Sequence, residues 1–289
     1  MRSLLFVPAD GGKKLDKAMA SGADAVIIDL EDSVTSDRKP EARESALAFL
    51  KDAGTAKHRP RLLVRVNGLD TGMIDADLDA IVPGAPDGIL FPKAEGGPTV
   101  IHVDAKLSAR EAIADLPEGH VKILAQTVES AAGFFSAGTY RDCSTRLMGV
   151  TWGPEDMSSE VGADANRDIS GRLTEPYRLA RSFCLFGATA AKTAAYETVF
   201  VDFRNDDGLR KDTEESKRDG FVGRLAIHPA QVPVINAVFQ PSAEQIAHAQ
   251  KIVAAFAAQP NAGTVGIDGK MFDRPHLVRA KALLESVKA

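Results

Sequence analysis

Eight short apolar runs, each followed by a stretch of helical character, recur along most of this chain. Each run is rich in Val, Ile, Leu or Phe and is too short for a core helix, which is typical of strands buried on both faces of a parallel sheet. The runs are 4–7, 25–30, 62–66, 88–91, 121–127, 147–152, 198–203 and 225–227. Repeated strand-then-helix units over about 250 residues predict an α/β fold, a (β/α)8 TIM barrel.

An open nucleotide-binding sheet is the main alternative to a barrel. Such sheets carry a glycine-rich turn after the first strand, G-x-G-x-x-G or a Walker A sequence. The chain has Gly11-Gly12-Lys13-Lys14 at that point, which lacks both the spacing and the Ser or Thr. Phosphate-loop chemistry is therefore disfavoured.

Charge and cysteine usage limit the partners and the compartment. The chain has 35 Lys and Arg against 40 Asp and Glu, a net charge of −5, so nothing favours nucleic acid. Its two cysteines, Cys143 and Cys184, form no CxxC motif, and no glycosylation sequon occurs, so a reducing, cytoplasmic setting is expected. The first apolar run, 4–9, is too short for a signal peptide or a membrane span, and no membrane association is predicted.

A distinct segment follows the eighth strand. Ser242 and Gln245 form a capping-box pattern that predicts a helix to about Ala258, and Asp268-Gly269 predicts the turn of a hairpin over 264–272. A last helix is expected over 276–287. We therefore predict a barrel domain over 1–240 and a helix-hairpin-helix extension over 241–289. The extension is too small for a core of its own and is expected to pack on the barrel or on a neighbouring subunit.

Polar side chains stand where several predicted strands end, which is where this fold builds its sites. Asp29 and Glu31 end the second strand, Arg65 the third, Glu129 the fifth and Asp156 the sixth. Crowded carboxylates repel unless a cation or protons compensate them. Glu129 and Asp156 therefore predict an open site for a hard divalent metal that keeps several waters, Mg²⁺ above all with Mn²⁺ as a substitute, and Arg65 adds an anion site beside it.

Two interpretations of the remaining acids stay open. Acids at strand ends also serve as helix N-caps and surface charges. Asp29 and Glu31 would either hold Arg65 or metal-bound waters, or take part in ligation or catalysis directly.

At these residues the chain resembles the HpcH/HpaI aldolase and citrate lyase β-subunit superfamily, and within it the citrate-lyase-like and malyl-CoA or citramalyl-CoA lyase members. Seven stretches carry the resemblance in family order: RSLLFVP at 2–8, GADAVIIDLED at 22–32, VRVNG at 64–68, GPED at 153–156, VDFR at 201–204, IHPAQ at 227–231 and GKMFD at 269–273. Ala9 and 157–159 depart from the usual pattern.

The resemblance implies a (β/α)8 barrel, assembled as a homotrimer or hexamer, that uses Mg²⁺ to cleave or form a carbon–carbon bond beside a CoA or acyl-carrier thioester. Its products are a small acyl-CoA and a 2-oxo acid. By position, the resemblance makes Glu129 and Asp156 the metal ligands, with Glu129 also at the substrate, and Arg65 the group that binds the substrate carboxylate. It implies CoA contacts for Phe6, Lys13, Lys17, Ile227 and His228. It makes Asp273 an acid/base residue that the extension brings to a neighbour's site.

Several of these residues also have ordinary explanations. Lys13 and Lys17, four apart on one helix face, fit a solvated surface. His228 fits an ordinary strand end, and Asp273 fits a helix cap before Pro275.

The expected reaction is Claisen-type cleavage of a 3-hydroxy-3-carboxyacyl-CoA, for which malyl-, citramalyl- and citryl-CoA all qualify. The alternatives are a malyl-CoA thioesterase on the same site, a class II aldolase without CoA, and a non-catalytic thioester-binding subunit of a larger complex. The aldolase is disfavoured because those relatives lack the segment that carries Asp273.

Overall fold

Eight parallel strands close into a barrel in chain order, with β1 hydrogen-bonded to β8. The computed structural model describes residues 1–54, 56 and 58–287. The barrel strands are β1 Ser3–Pro8, β2 Ala25–Asp29, β3 Arg61–Arg65, β4 Gly88–Phe91, β5 Lys122–Thr127, β6 Leu147–Trp152, β7 Ala194–Glu197 and β8 Gly223–Ala226. The predicted (β/α)8 barrel is thereby confirmed.

Helices follow the strands and cover the outside of the barrel. They are α1 Lys13–Met19, α2 Lys39–Ala53, α3 Ile74–Ile81, α4 Gly97–Ile113, α5 Ala131–Ser136, α6 Pro154–Val161, α7 Glu175–Ala191, α8 Asp206–Asp219 and α9 Gln231–Phe239. Short 3-10 turns occupy Ser36–Arg38, Leu69–Thr71, Val82–Gly84 and Ala137–Thr139. The main apolar core lies between these helices and the strands.

The seventh strand differs from the prediction. The apolar run 198–203 is a loop, and the strand is the preceding Ala194–Glu197. The strand is hard to recognise in the sequence because it consists of two alanines, a tyrosine and a glutamate. Glu197 is nevertheless buried, and its carboxylate accepts hydrogen bonds from Trp152 Nε1 and Arg181 Nε, both at 2.6 Å. Its charge is therefore compensated inside the fold, whereas Val201 is 54% exposed in the loop.

A second apolar cluster fills the inside of the barrel. Its buried members are Leu4, Ala25, Ile27, Leu63, Leu90, Leu124, Tyr196 and Leu225. Side chains alternate across a strand, so Asp29 continues the inward row of Ala25 and Ile27, and Arg65 continues that of Leu63. The barrel interior is thus apolar along the strands and charged at their carboxyl ends.

Residues 240–289 form a compact unit separate from 1–239. Within it lie α10 Ala243–Ala258, β9 Thr264–Ile267, β10 Lys270–Asp273 and α11 Arg274–Ser286. The capping box at Ser242 and Gln245 and the hairpin are as predicted. Contrary to expectation, the unit has a small apolar cluster of its own, which includes Ile252, Phe256 and Phe272. Its packing on a neighbouring subunit stays a prediction, and residues 288 and 289 of the predicted extension lie outside the described residues.

Among the described residues, no helix combines the length and the apolar character needed to cross a membrane.

Candidate active site

Asp29 and Arg65 meet because the register of β2 and β3 places them opposite each other. Arg65 Nε donates to Asp29 Oδ1 at 2.7 Å and Nη2 donates to Oδ2 at 2.6 Å, a bidentate pair. Although burial of Asp29 acts in the opposite direction, the hydrogen bonds and charge of Arg65 lower the pKa of this carboxyl group. The aromatic ring of Phe6 lies 4.9 Å from Arg65 Cζ and covers the guanidinium. Arg65 is therefore held in one orientation.

Glu31 is the second acid on Arg65. Its Oε2 lies 2.8 Å from Arg65 Nη1. Burial, reinforced by the charges of Asp32 and Asp29, raises the pKa of Glu31 to about 7 despite the opposing effect of Arg65. Of the two interpretations of Asp29 and Glu31, these contacts favour the one in which they hold Arg65.

A Glu31→Gln variant tests this environment through stability. The unfolded chain releases the Glu31 proton near pH 4.5 while the folded protein keeps it to about pH 7, so the free energy of unfolding falls as the pH rises between these values. The shift corresponds to ~3 kcal/mol. In EDTA, we expect wild type to lose about this much stability relative to Glu31→Gln between pH 4 and pH 8. The free energy of unfolding is measured by urea denaturation at each pH. The same change between pH 4 and pH 8 in both proteins would contradict the assignment.

Glu129 is buried just beyond β5. Its Oε2 accepts a hydrogen bond from the backbone N–H of Lys93 at 2.7 Å, and its Oε1 accepts one from Gln126 Nε2. Gly153 allows this close packing, because a Cβ there would lie 2.5 Å from Glu129 Oε1. Burial, together with the charges of Asp156 and Glu31, raises the pKa of Glu129 well above its ordinary value. A cation beside Glu129 would offset this cost.

Asp156 lies in the first turn of α6, and its side chain is 34% exposed. The sequence interpretation missed its partner, Lys93, whose Nζ lies 3.8 Å from Asp156 Oδ1 and 3.3 Å from Glu31 Oε1. Lys93 lies two residues beyond β4, outside the apolar run that predicts this strand. It has a left-handed backbone, with φ of 48°, and Val128, directly before Glu129, has φ of 55°. Strained residues of this kind collect at functional sites.

The residues present fit a Mg²⁺ ion bound through few protein ligands. Among the described residues, no group of three or more His, Cys, Asp or Glu could hold a metal. Mg²⁺ commonly takes one or two carboxylates and retains its waters, which suits Glu129 with Asp156. The buried Oε1 of Gln126 has no hydrogen-bond partner and could accept one from such a water. Lys93 already places one positive charge among these acids.

A cavity of about 440 Å³ opens above these groups. Phe6, Asp29, Arg65, Asp156 and Ile227 line it, and Gln126 and Gly153 separate it from Glu129. Arg65 and Asp156 therefore border one space, and Glu129 contacts its lining through Gln126.

The remaining predicted site residues, Lys13, Lys17, His228 and Asp273, are not part of the lining of this cavity. Lys13 and Lys17 are exposed on α1, as a solvated pair would be. His228 is exposed and stacks on Phe203 with ring centroids 4.9 Å apart. Asp273 belongs to the second unit, where it is the N-cap of α11 and pairs with His276 Nδ1. The hydrogen bond from His276 lowers the pKa of Asp273.

The chain belongs to the HpcH/HpaI aldolase/citrate lyase family, whose profile matches residues 2–229. The resemblance inferred from the seven motifs is thus confirmed.

Two curated relatives span the whole chain. A protein of Cereibacter sphaeroides named (3S)-malyl-CoA thioesterase is 36% identical over 291 residues, covering 100% of this chain and 95% of its own. The citrate lyase subunit beta of Leuconostoc mesenteroides subsp. cremoris is 30% identical, with 100% and 93% covered. One relative is thus named as a thioesterase and the other as a lyase subunit.

A solved structure agrees in fold over the full length. The crystal structure of CitE from Mycobacterium tuberculosis in complex with magnesium, acetoacetate and coenzyme A superposes with a TM-score of 0.79. It is 30% identical and covers 100% of this chain and 98% of its own.

Proposed function

We propose that this chain is a Mg²⁺-dependent carbon–carbon lyase that cleaves, or forms, a 3-hydroxy-3-carboxyacyl-CoA. The products of cleavage are a shorter acyl-CoA and a 2-oxo acid. The observation that carries the proposal is that Arg65 and Asp156 line one cavity beside the ring of Phe6, with the buried Glu129 bonded to Gln126 of the same lining. The magnesium and coenzyme A in the M. tuberculosis CitE complex give independent support.

Arg65 would bind and orient the substrate carboxylate. Its Nε and Nη2 face Asp29, and Nη1 lies near Glu31, yet a guanidinium has five N–H groups and so keeps donors for a second anion. Because Asp29 and Phe6 fix the guanidinium, the carboxylate would be held in one direction relative to the bond that breaks.

Glu129 and Asp156 would hold the metal. When bound, Mg²⁺ would act as a Lewis acid on the hydroxyl and carboxylate oxygens of the substrate. The ionised form of Glu129 is the one that binds a cation. Its raised pKa means that ionisation is unfavourable unless a cation lies beside the carboxylate. The protein contributes charge and position here, and Glu129 is buried from bulk water.

Asp273 would transfer the proton. Cleavage leaves a thioester enolate that takes a proton at carbon, and in the reverse direction the same group removes a proton from the acyl-CoA. The hydrogen bond from His276 favours the ionised carboxylate needed for removal. Following the resemblance, we propose that the extension supplies Asp273 to a neighbouring copy in a trimer or hexamer.

Replacing Asp273 by Ala is expected to lower kcat about 10²- to 10³-fold, because general acid–base groups contribute in this range. Mn²⁺ affinity should stay within about twofold, since Asp273 is not a proposed ligand. The loss of the α11 cap should also lower the free energy of unfolding. Ser242→Ala, which removes the cap of α10, is the matched control: it should lose similar stability and keep turnover. Equal turnover losses in the two variants would reduce Asp273 to a structural cap.

A thioesterase is the second candidate. The relative named (3S)-malyl-CoA thioesterase favours it. In that reaction Arg65 and the metal would place a water against the thioester carbonyl, and free malate and CoA would form in place of a 2-oxo acid and acyl-CoA.

An assay of the purified protein over malyl-, citramalyl- and citryl-CoA tests the proposal. We expect a 2-oxo acid from at least one thioester with Mg²⁺ and none with EDTA. A free hydroxy acid as the sole product would establish the thioesterase. A chain that binds CoA but turns over none of these substrates would be a non-catalytic subunit.

A further inference from the structure

Lys93 is fixed at the site by its backbone as well as by its side chain. Its backbone N–H donates to Glu129 Oε2 at 2.7 Å, and the left-handed conformation of the residue accompanies this contact. The donor is the backbone N–H, so an unbranched replacement side chain can keep this bond. The role of the ammonium group can therefore be tested by substitution without removing the hydrogen bond to Glu129.

The ammonium group stands between two acids. Lys93 Nζ lies 3.3 Å from Glu31 Oε1 and 3.8 Å from Asp156 Oδ1, with a third of the side chain exposed. In the described part of the chain, no other cationic side chain lies within 4 Å of Asp156. Arg65 is directed at Asp29 and Glu31. Among the described residues, Lys93 thus provides the side-chain positive charge that is paired with Asp156.

A divalent cation on Asp156 would change this balance. Two cations near one carboxylate repel each other, and the repulsion is strong where little water screens them. The 3.3 Å contact with Glu31 offers Lys93 a place to remain when it leaves Asp156. We propose that Lys93 is the resident counter-ion of this site: it neutralises Asp156 in the metal-free protein, competes with the metal for it, and thereby sets the metal affinity.

The inference rests on the metal assignment in the proposed function, and its test measures binding rather than turnover. Mn²⁺ is titrated into metal-free protein and the free ion is followed by electron paramagnetic resonance. Lys93→Met, uncharged and of similar length, should bind Mn²⁺ about tenfold more tightly than wild type. Lys93→Arg keeps the charge and should stay within about twofold.

Lys106→Met is the matched control. Lys106 Nζ pairs with Asp75 at 2.8 Å on the outer helices, so its loss should leave Mn²⁺ affinity unchanged. If Lys93→Met does not fold, Lys93→Gln provides a second uncharged variant.

The outcomes separate the two proposals. Tighter Mn²⁺ binding by the uncharged Lys93 variants than by wild type supports the counter-ion role of Lys93. This includes the case in which wild type binds Mn²⁺ too weakly to measure. Equal or weaker binding in these variants, with clear binding by wild type, overturns the role of Lys93 and leaves the proposed function standing. Absence of Mn²⁺ binding in wild type and variants alike overturns both.

Discussion

Glu129→Gln is expected to lower kcat/KM for thioester cleavage about 10³-fold, equivalent to ~4 kcal/mol of transition-state stabilisation. The substitution removes the negative charge proposed to hold the metal and keeps the size of the side chain. An amide oxygen can still accept from Lys93 N–H, and Gln126 can turn its unpaired Oε1 toward the new NH₂ group. Steady-state kinetics at saturating Mg²⁺, with Mn²⁺ titration alongside, measure both losses.

Stability separates a lost ligand from a damaged fold. Because the pKa of Glu129 is raised in the folded protein, Glu129→Gln should not lower the free energy of unfolding in EDTA at pH 8. Glu111→Gln is the control, a buried glutamate on α4 that is bonded to Arg146 and has a lowered pKa. It should lose stability and keep kcat/KM within about threefold. Near-normal turnover of Glu129→Gln would contradict the metal assignment.

Arg65→Lys is expected to lower kcat/KM about 10²-fold. Lysine keeps the charge but replaces the planar fork by a point charge, so it cannot hold Asp29 at two oxygens and a substrate carboxylate at once. Mn²⁺ affinity should change little, because Arg65 contacts neither proposed ligand. Kinetics on the best thioester of the panel provide the measurement.

Arg61→Lys is the matched control on the same strand. Arg61 starts β3 at the opposite end of the barrel and is exposed. Its replacement should leave kcat/KM unchanged, since the amino-terminal ends of barrel strands serve stability rather than chemistry. Equal losses of kcat/KM in Arg65→Lys and Arg61→Lys would show that Arg65 supports the structure of β3 and does not bind the substrate.

Much of the barrel was predictable because apolar periodicity reports strands buried on both faces. One of the two interpretations of Asp29 is that it holds Arg65, and the observed register brings the two into contact. Apolar periodicity failed at β7, where Glu197 is compensated by partners distant in sequence that no periodicity reveals.

Lys93 was missed for a different reason. The polar ends of β2, β3, β5 and β6 are visible in the sequence. Lys93 follows β4 after Pro92 in a left-handed conformation, and its proximity to Asp156, which follows β6, is a feature of the folded barrel. Asn67 shows the same dependence: it lies two residues beyond Arg65 in the sequence, yet it is bonded to buried Asp77, which holds the loop after β3. Side-chain partners across strands depend on packing that a single sequence does not encode locally.

Product analysis on the thioester of the panel with the highest turnover tests the central claim most directly. Wild-type protein is incubated with that thioester and Mg²⁺, and the 2-oxo acid, acyl-CoA, free hydroxy acid and CoA are quantified beside an EDTA control and Glu129→Gln. We predict equal amounts of 2-oxo acid and acyl-CoA from wild type, no product in EDTA, and about 10³-fold slower formation with Glu129→Gln. Free hydroxy acid without 2-oxo acid, or 2-oxo acid formed equally well in EDTA, would contradict the proposed lyase.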